Sequence, residues 1–244
     1  MLTQFENVYI FWFENGASNI CYLEYEDGLA CFDSSLFPEK FEKTLKLMQE
    51  KTGKKLKKVF LTHYHPDHSF GAIFSDYKFD LIMNKLTLEK LYSIEKNFLR
   101  NLSKTTNFNF NNLHEVLSYK HIELFDSNSF TIFDKTIVSG SLTGGHSEDS
   151  SVYILKPLNY LISGDLIFSH VHSEYIDSNI SHWNLWLNNL KKLNFKKIIP
   201  GHGKPGENLL LSEQLKYNLD FCAKKDLKKE FPDYSLSEII PDNN

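Results

Sequence analysis

At 244 residues the chain is long enough for one large α/β domain, or two small ones, with a substantial core. A formal net charge of -4 and a single arginine, Arg100, leave no basic footprint for nucleic acid and few guanidinium forks for clamping phosphate. Cys21, Cys31 and Cys222 are odd in number and form no CxxC pair, no apolar run approaches the length of a membrane span, and no basic leader opens the chain. The expected location is therefore the cytoplasm, with no nucleic-acid and no membrane partner.

In chain order, "NVYIFWF" and "NICYLEYEDGLACFD" read as strands, the second turning as a hairpin at Asp27-Gly28. Pro38 to Thr52 reads as a helix: Phe41, Leu45 and Met48 recur at helical spacing, Pro38 opens the segment and Gly53 lies just past its end. The strand "KVFLT" leads into "FLTHYHPDHSFGA". Asp80 to Asn84 is a further strand, Leu86 to Leu102 a helix, and Ser103 to Asn112 a polar loop. "FTIFDKTIVSG" predicts a hairpin at Asp134-Lys135, and "SSVYILKPLNYLIS" a second, turning at Pro157 to Asn159. Ser181 to Leu193 is a helix striped by Trp183, Trp186, Leu187, Leu190 and Leu193, followed by the strand "KKIIP". Asn208 to Glu230 reads as one amphipathic helix with Leu211, Leu215, Leu219 and Cys222 on a single face, which predicts a buried, inert thiol at Cys222. Strands followed by helices, twice, with no linker or repeat, predict one domain of two sheets sandwiched between helices.

His63, His65, Asp67 and His68 crowd the turn after one strand. "IVSGSLTGGH", "YLISGD" and "KKIIPGH" place His146, Asp165 and His202 at the ends of three more. If the strand ends align, seven side chains converge on one edge. Imidazole nitrogen and carboxylate oxygen suit zinc, manganese and ferrous iron. In an extended segment His63 and His65 point to the same side and can grip one ion. Pro66 then turns the chain, so that Asp67 and His68 address a neighbouring position, about 3.5 to 4 Å away in two-metal sites. His114, His121 and His182 stand alone and read as surface or satisfied core residues.

The motifs "THYHPDH", "GGHS", "SGD" and "PGHG", in this order from about Asn7 to Pro205, resemble the metallo-β-lactamase-fold superfamily of metal-dependent hydrolases. The resemblance implies a four-layer αββα sandwich, taken as a single domain over residues 1–244. The segment Leu86 to Leu124 has no motif support and is expected to be a helical insert over the site, built as a lid. By resemblance His63, His65 and His146 hold a first divalent ion, Asp67, His68 and His202 a second, and Asp165 bridges both. Zinc is the expected metal, with iron or manganese as alternatives. Two ions against Asp67, Asp165 and a bridging hydroxide leave a site of net charge about +1, which acidifies its bound water and attracts polarised carbonyls or anions.

The implied activity is attack of that hydroxide on an ester-type bond (thioester, lactone or phosphodiester) of a small-molecule substrate. The bridging carboxylate resembles glyoxalase II-like and lactonase-like members more than true β-lactamases. Asp67, with His172 and Tyr175 on the segment after Asp165, are the residues expected to act on substrate. The alternative is a diiron oxygen-binding or redox domain resembling flavodiiron proteins, although those place a glutamate where His65 stands. The oligomeric state is left open.

Overall fold

In the computed structural model, which describes residues 1–236, alternate residues of one strand enter different cores. Along β3 (Ile20–Tyr25), Ile20 and Tyr22 pack on one side with Phe41, Leu45 and Met48, whereas Cys21 and Leu23 pack on the other with Val138, Tyr153 and Leu155. Side chains of a strand alternate with period two, so a strand covered on both faces is a continuous apolar run.

The first sheet runs β1 (Leu2–Phe5), β2 (Val8–Phe11), β3, β4 (Gly28–Phe32), β5 (Leu56–Phe60), β6 (Asp80–Asn84), β7 (His121–Phe125). Its pairings are antiparallel up to β4 and parallel from β4 to β7. The second runs β12 (Lys197–Gly203), β11 (Tyr160–Ser169), β10 (Ser151–Lys156), β9 (Thr136–Leu142), β8 (Asn128–Phe133), parallel at β11 to β12. A third core lies outside this sheet: Val152, Leu161 and Ile167 meet Trp183, Leu187 and Leu190 of α6 (Ile180–Lys191) and Leu211 of α7 (Leu209–Cys222). Three apolar cores between four layers make the expected αββα sandwich.

Helix α1 (Pro38–Thr52) ends at Gly53, whose φ of 70° is left-handed and open to glycine without cost. The β8–β9 turn is Asp134-Lys135 and the β10–β11 turn covers Pro157 to Asn159, as expected. The β3–β4 turn is Glu26-Asp27, one residue earlier than the Asp-Gly pair suggests, because Tyr25 pairs with Gly28.

Four expectations need correction. The helix read over Leu86 to Leu102 is two, α3 (Lys85–Ser93) and α4 (Lys96–Thr106), broken at Ile94, whose ψ of 125° is not helical. Ser103 to Asn112 is not a free loop: it contains the end of α4 and a turn that buries Phe110 between Phe70 and Phe74, before α5 (Leu113–Ser118). Residues 121–124 of the expected insert belong to β7, a polar edge strand that "HIELF" does not advertise. Finally, α7 stops at Cys222 and α8 (Leu227–Glu230) follows; Leu219 and Cys222 are exposed. The buried face of α7 instead carries Leu211, Gln214 and Asn218, polar groups that an apolar-stripe reading discards. Gln214 accepts from the Phe168 amide at 2.9 Å and Asn218 from the Tyr175 hydroxyl at 2.8 Å. Among the described residues no helix is long and apolar enough to cross a membrane.

Candidate metal centre

All seven ligand-type side chains gather at one edge of the two sheets, where open α/β sheets place their ligands; contrary to expectation Asp165 lies within its strand rather than at the end, beside a shift in register after Gly164. β5 runs out at Phe60 and delivers His63 and His65. Pro66 then starts α2 (Pro66–Ile73), placing Asp67 and His68 in its first turn. β9 leads to His146 through Gly144 and Gly145, both at positive φ, while Asp165 and His202 lie within β11 and β12.

His63 Nε2 and His146 Nε2 sit 3.0 and 3.1 Å from His65 Nδ1, and 3.8 and 3.5 Å from Asp165 Oδ2. On the other side His68 Nε2 lies 3.2 Å from His202 Nε2, and Asp67 Oδ2 lies 3.5 and 3.4 Å from the two. Asp165 stands between the groups, 3.1 Å from His68 Nε2 and 3.3 Å from His202 Nε2. Ligands of a tetrahedral ion with bonds of about 2.1 Å are about 3.4 Å apart. Both groups match that spacing.

Four of the five ring nitrogens facing away are held in turn, while His146 Nδ1 is buried without a partner. His63 Nδ1 contacts Thr62 Oγ1 at 3.0 Å, His65 Nε2 contacts Asp177 at 3.1 Å, His68 Nδ1 contacts Asp33 at 2.9 Å, and His202 Nδ1 donates to the Gly16 carbonyl at 2.7 Å. Such partners fix which nitrogen is left bare for a metal. Asp165 Oδ1 is buried with no aligned hydrogen-bond donor, as a carboxylate built for a cation would be. A β-carbon on Gly201 would overlap that same oxygen, so glycine is required there.

Electrostatics agree with the fit. Burial pushes His63 well down and His146 down to about 3, keeping both as neutral donors. Burial would also lower His68 and His202, but the carboxylates beside them, Asp165 first, outweigh it and raise both. Burial alone would raise Asp165, yet His202 and His68 hold it well below the carboxylate range. Positive charge therefore collects around Asp165, where a dication fits.

Three supporting groups carry no motif. Asp33 accepts from the Thr62 amide and hydroxyl at 2.7 and 2.8 Å as well as facing His68. It ends β4 as a polar residue after an apolar run, the same placement that marks the ligands, and that signal could have found it. Asp149 accepts from the Tyr64 amide at 2.8 Å and the Ser147 hydroxyl at 2.8 Å, tying the His146 loop to the His63–His65 segment. Asp177, on irregular chain before α6, accepts from the Tyr64 hydroxyl at 2.5 Å besides meeting His65. Its carboxyl is held low, foremost by His65.

A cavity of about 530 Å³ opens onto the cluster, with His65, Asp67, His146, Asp165 and His202 in its wall. His172 and Tyr175 are placed elsewhere: neither lines that cavity. His172 Nδ1 lies 2.7 Å from the Tyr217 hydroxyl, and the Tyr175 ring stacks on Phe221 with centroids 3.9 Å apart. Both pack against α7 because that helix turns its polar and aromatic face towards them.

A profile of the metallo-beta-lactamase superfamily matches residues 15–202. No curated protein matches the chain. Among solved structures it is similar to a metallo-beta-lactamase from Pontibacter korlensis, with a TM-score of 0.69 and 17% identity over 90% of this chain and 99% of that one. VMB-1 gives 0.67 and 21% over 91% and 97%, and TMB-1 gives 0.66 and 18% over 91% and 98%.

Proposed function

The chain belongs to the metallo-beta-lactamase superfamily, and from that premise we propose that it is a dinuclear metal-dependent hydrolase acting on an ester-type bond of a small molecule. One observation carries the reading: two groups of largely buried donors with metal-ligand spacing line an open cavity, Asp165 standing in the first and within 3.3 Å of His68 and His202 of the second. His63, His65 and His146 form the first holder and Asp67, His68 and His202 the second. Divalent ions held there, zinc foremost, supply Lewis acidity, polarising a substrate oxygen and lowering the pKa of water from about 15.7 towards about 7.

The protein's own groups do the rest. Asp67 lines the cavity as well as facing His68 and His202, so its carboxylate is placed to accept a proton from a reacting water. Asp177 and Asp33 hold His65 and His68 in the tautomer that leaves the inward nitrogen bare. Phe168 stacks on His202 with centroids 5.0 Å apart, keeping bulk water off that ring. Helix α3, the break after it and helix α4 contribute Lys90, Ile94 and Phe98 in turn to the cavity wall and serve as its lid. His172 and Tyr175 take no part in the chemistry.

The test is reconstitution of metal-free protein with zinc, manganese or ferrous iron, assayed on thioesters, lactones and phosphodiesters with and without oxygen. Turnover with zinc, equal in both atmospheres and lost in Asp165→Ala, is expected. A zinc form inert on every substrate beside a ferrous form that consumes oxygen establishes the redox alternative, since zinc has no redox chemistry.

A further inference from the structure

The cavity wall is apolar where it leaves the metal centre. Leu36, Ile94, Phe98, Leu102, Phe168 and Ile176 line it, drawn from the β4–α1 connection, the break between α3 and α4, α4 itself, β11 and the segment before α6. Two of these are unusually exposed for their size: Phe98 is 48% and Ile176 is 91% accessible. Apolar side chains converging around one opening, rather than scattered singly, mark a ligand surface.

Charge at the opening adds an independent constraint. Glu95, Glu174 and Asp177 line the rim against a single ammonium, Lys90. Lys90 Nζ is itself 3.2 Å from Glu148 and 5.6 Å above the Tyr64 ring, so it is already partnered. An anion approaching the centre must pass three carboxylates, and the one ammonium in the cavity wall already has partners.

We propose that this cavity selects uncharged substrates with an apolar acyl group several carbons long, lodged between Ile94, Phe98 and Ile176, and rejects phosphodiesters. The proposal rests on the hydrolase reading for its chemistry, but the binding preference stands on the wall alone. It narrows the ester-type class to carbon esters: water adds to the acyl carbon, the acyl–oxygen or acyl–sulfur bond breaks, and the acid and alcohol or thiol leave.

Two measurements on the zinc-loaded full chain separate the ideas. The first is calorimetric binding of butanamide, hexanamide and octanamide, neutral probes with no ester to cleave. The second is turnover of 4-nitrophenyl acetate, butyrate and hexanoate beside bis(4-nitrophenyl) phosphate. Affinity and kcat/KM are expected to rise up to about fourfold per added methylene, the value of burying one CH₂. Phe98→Ala and Ile176→Ser, at exposed positions that leave the fold and metal content intact, should flatten both slopes. Glu95→Lys with Glu174→Lys should raise phosphodiester turnover relative to acetate.

Chain-length slopes of zero in wild type, or a phosphodiester preferred over hexanoate, overturn the inference. A binding slope abolished by Phe98→Ala, with no ester cleaved under any metal, upholds the apolar cavity and sinks the hydrolase reading instead.

Discussion

Asp177, which no motif marks, and Gly201, within the PGHG motif, shape the candidate metal centre without being ligands themselves. Asp177 meets His65 at its outward nitrogen and not at the inward one, yet partners in that position set the tautomer and ring orientation of such a histidine. Asp177→Asn is expected to weaken zinc affinity about 10- to 100-fold while leaving the melting curve of the metal-free protein unchanged, as read by chelator competition. An affinity within twofold of wild type would return Asp177 to an ordinary rim residue. At Gly201 the constraint is steric, because a methyl group there displaces Asp165. Gly201→Ala should lower the metal content of the purified protein, measured by mass spectrometry, with circular dichroism preserved. Full metal occupancy would mean that Asp165 has room to shift.

The segment from α3 to α5 is where element-level reading failed most, and the physical cause is Phe110. "SKTTNFNFNN" is polar by composition, but its second phenylalanine is fully buried, tilted against Phe70 at 5.2 Å and edge-on to Phe74 at 5.1 Å. The stretch is thus part of the core beneath α4 and α5. Phe110→Ala should cost about 3–5 kcal/mol in urea unfolding, the range for truncating a buried aromatic. Phe98→Ala, on the exposed side of α4, should stay within about 0.5 kcal/mol. Excising Ser103 to Asn112 should therefore unfold the protein rather than retune its specificity. A soluble, cooperatively melting deletion variant would show instead that α4 and α5 pack independently of that turn.

At the scale of the whole molecule the seven ligands join two sheets. His63, His65, Asp67 and His68 follow β5 of the first, whereas His146, Asp165 and His202 come from β9, β11 and β12 of the second. Ions bound between them would act as a clamp, because any ligand that binds only the folded state stabilises it by mass action. At free zinc one hundred times the dissociation constant the gain is about 2.7 kcal/mol per site. For a chain of this length that corresponds to about 5–10 °C in Tm. Chelator-treated protein should melt lower by at least this amount and recover on adding zinc, followed by calorimetry. An unchanged Tm would mean that the sheets are held without help from the centre.

Residue type and spacing already picked out the seven side chains that the fold brings together, helix α1 with its terminal glycine, and the hairpin turns at Asp134-Lys135 and Pro157 to Asn159. These are local properties, set by side-chain chemistry, periodicity and turn residues within a few positions of one another. The exceptions were also local in origin: β1 and β7 are short half-exposed edge strands, and α7 buries polar residues that a hydrophobic stripe cannot reveal. What only the tertiary structure decided is which nitrogen each histidine presents and what lies opposite the ions. His65 meets Asp177 across 112 residues and His202 meets the Gly16 carbonyl across 186. The apolar cavity wall likewise assembles from four separate stretches of chain. No periodicity encodes contacts at those separations; they exist because packing the two sheets face to face aligns the ends of strands that are distant in sequence.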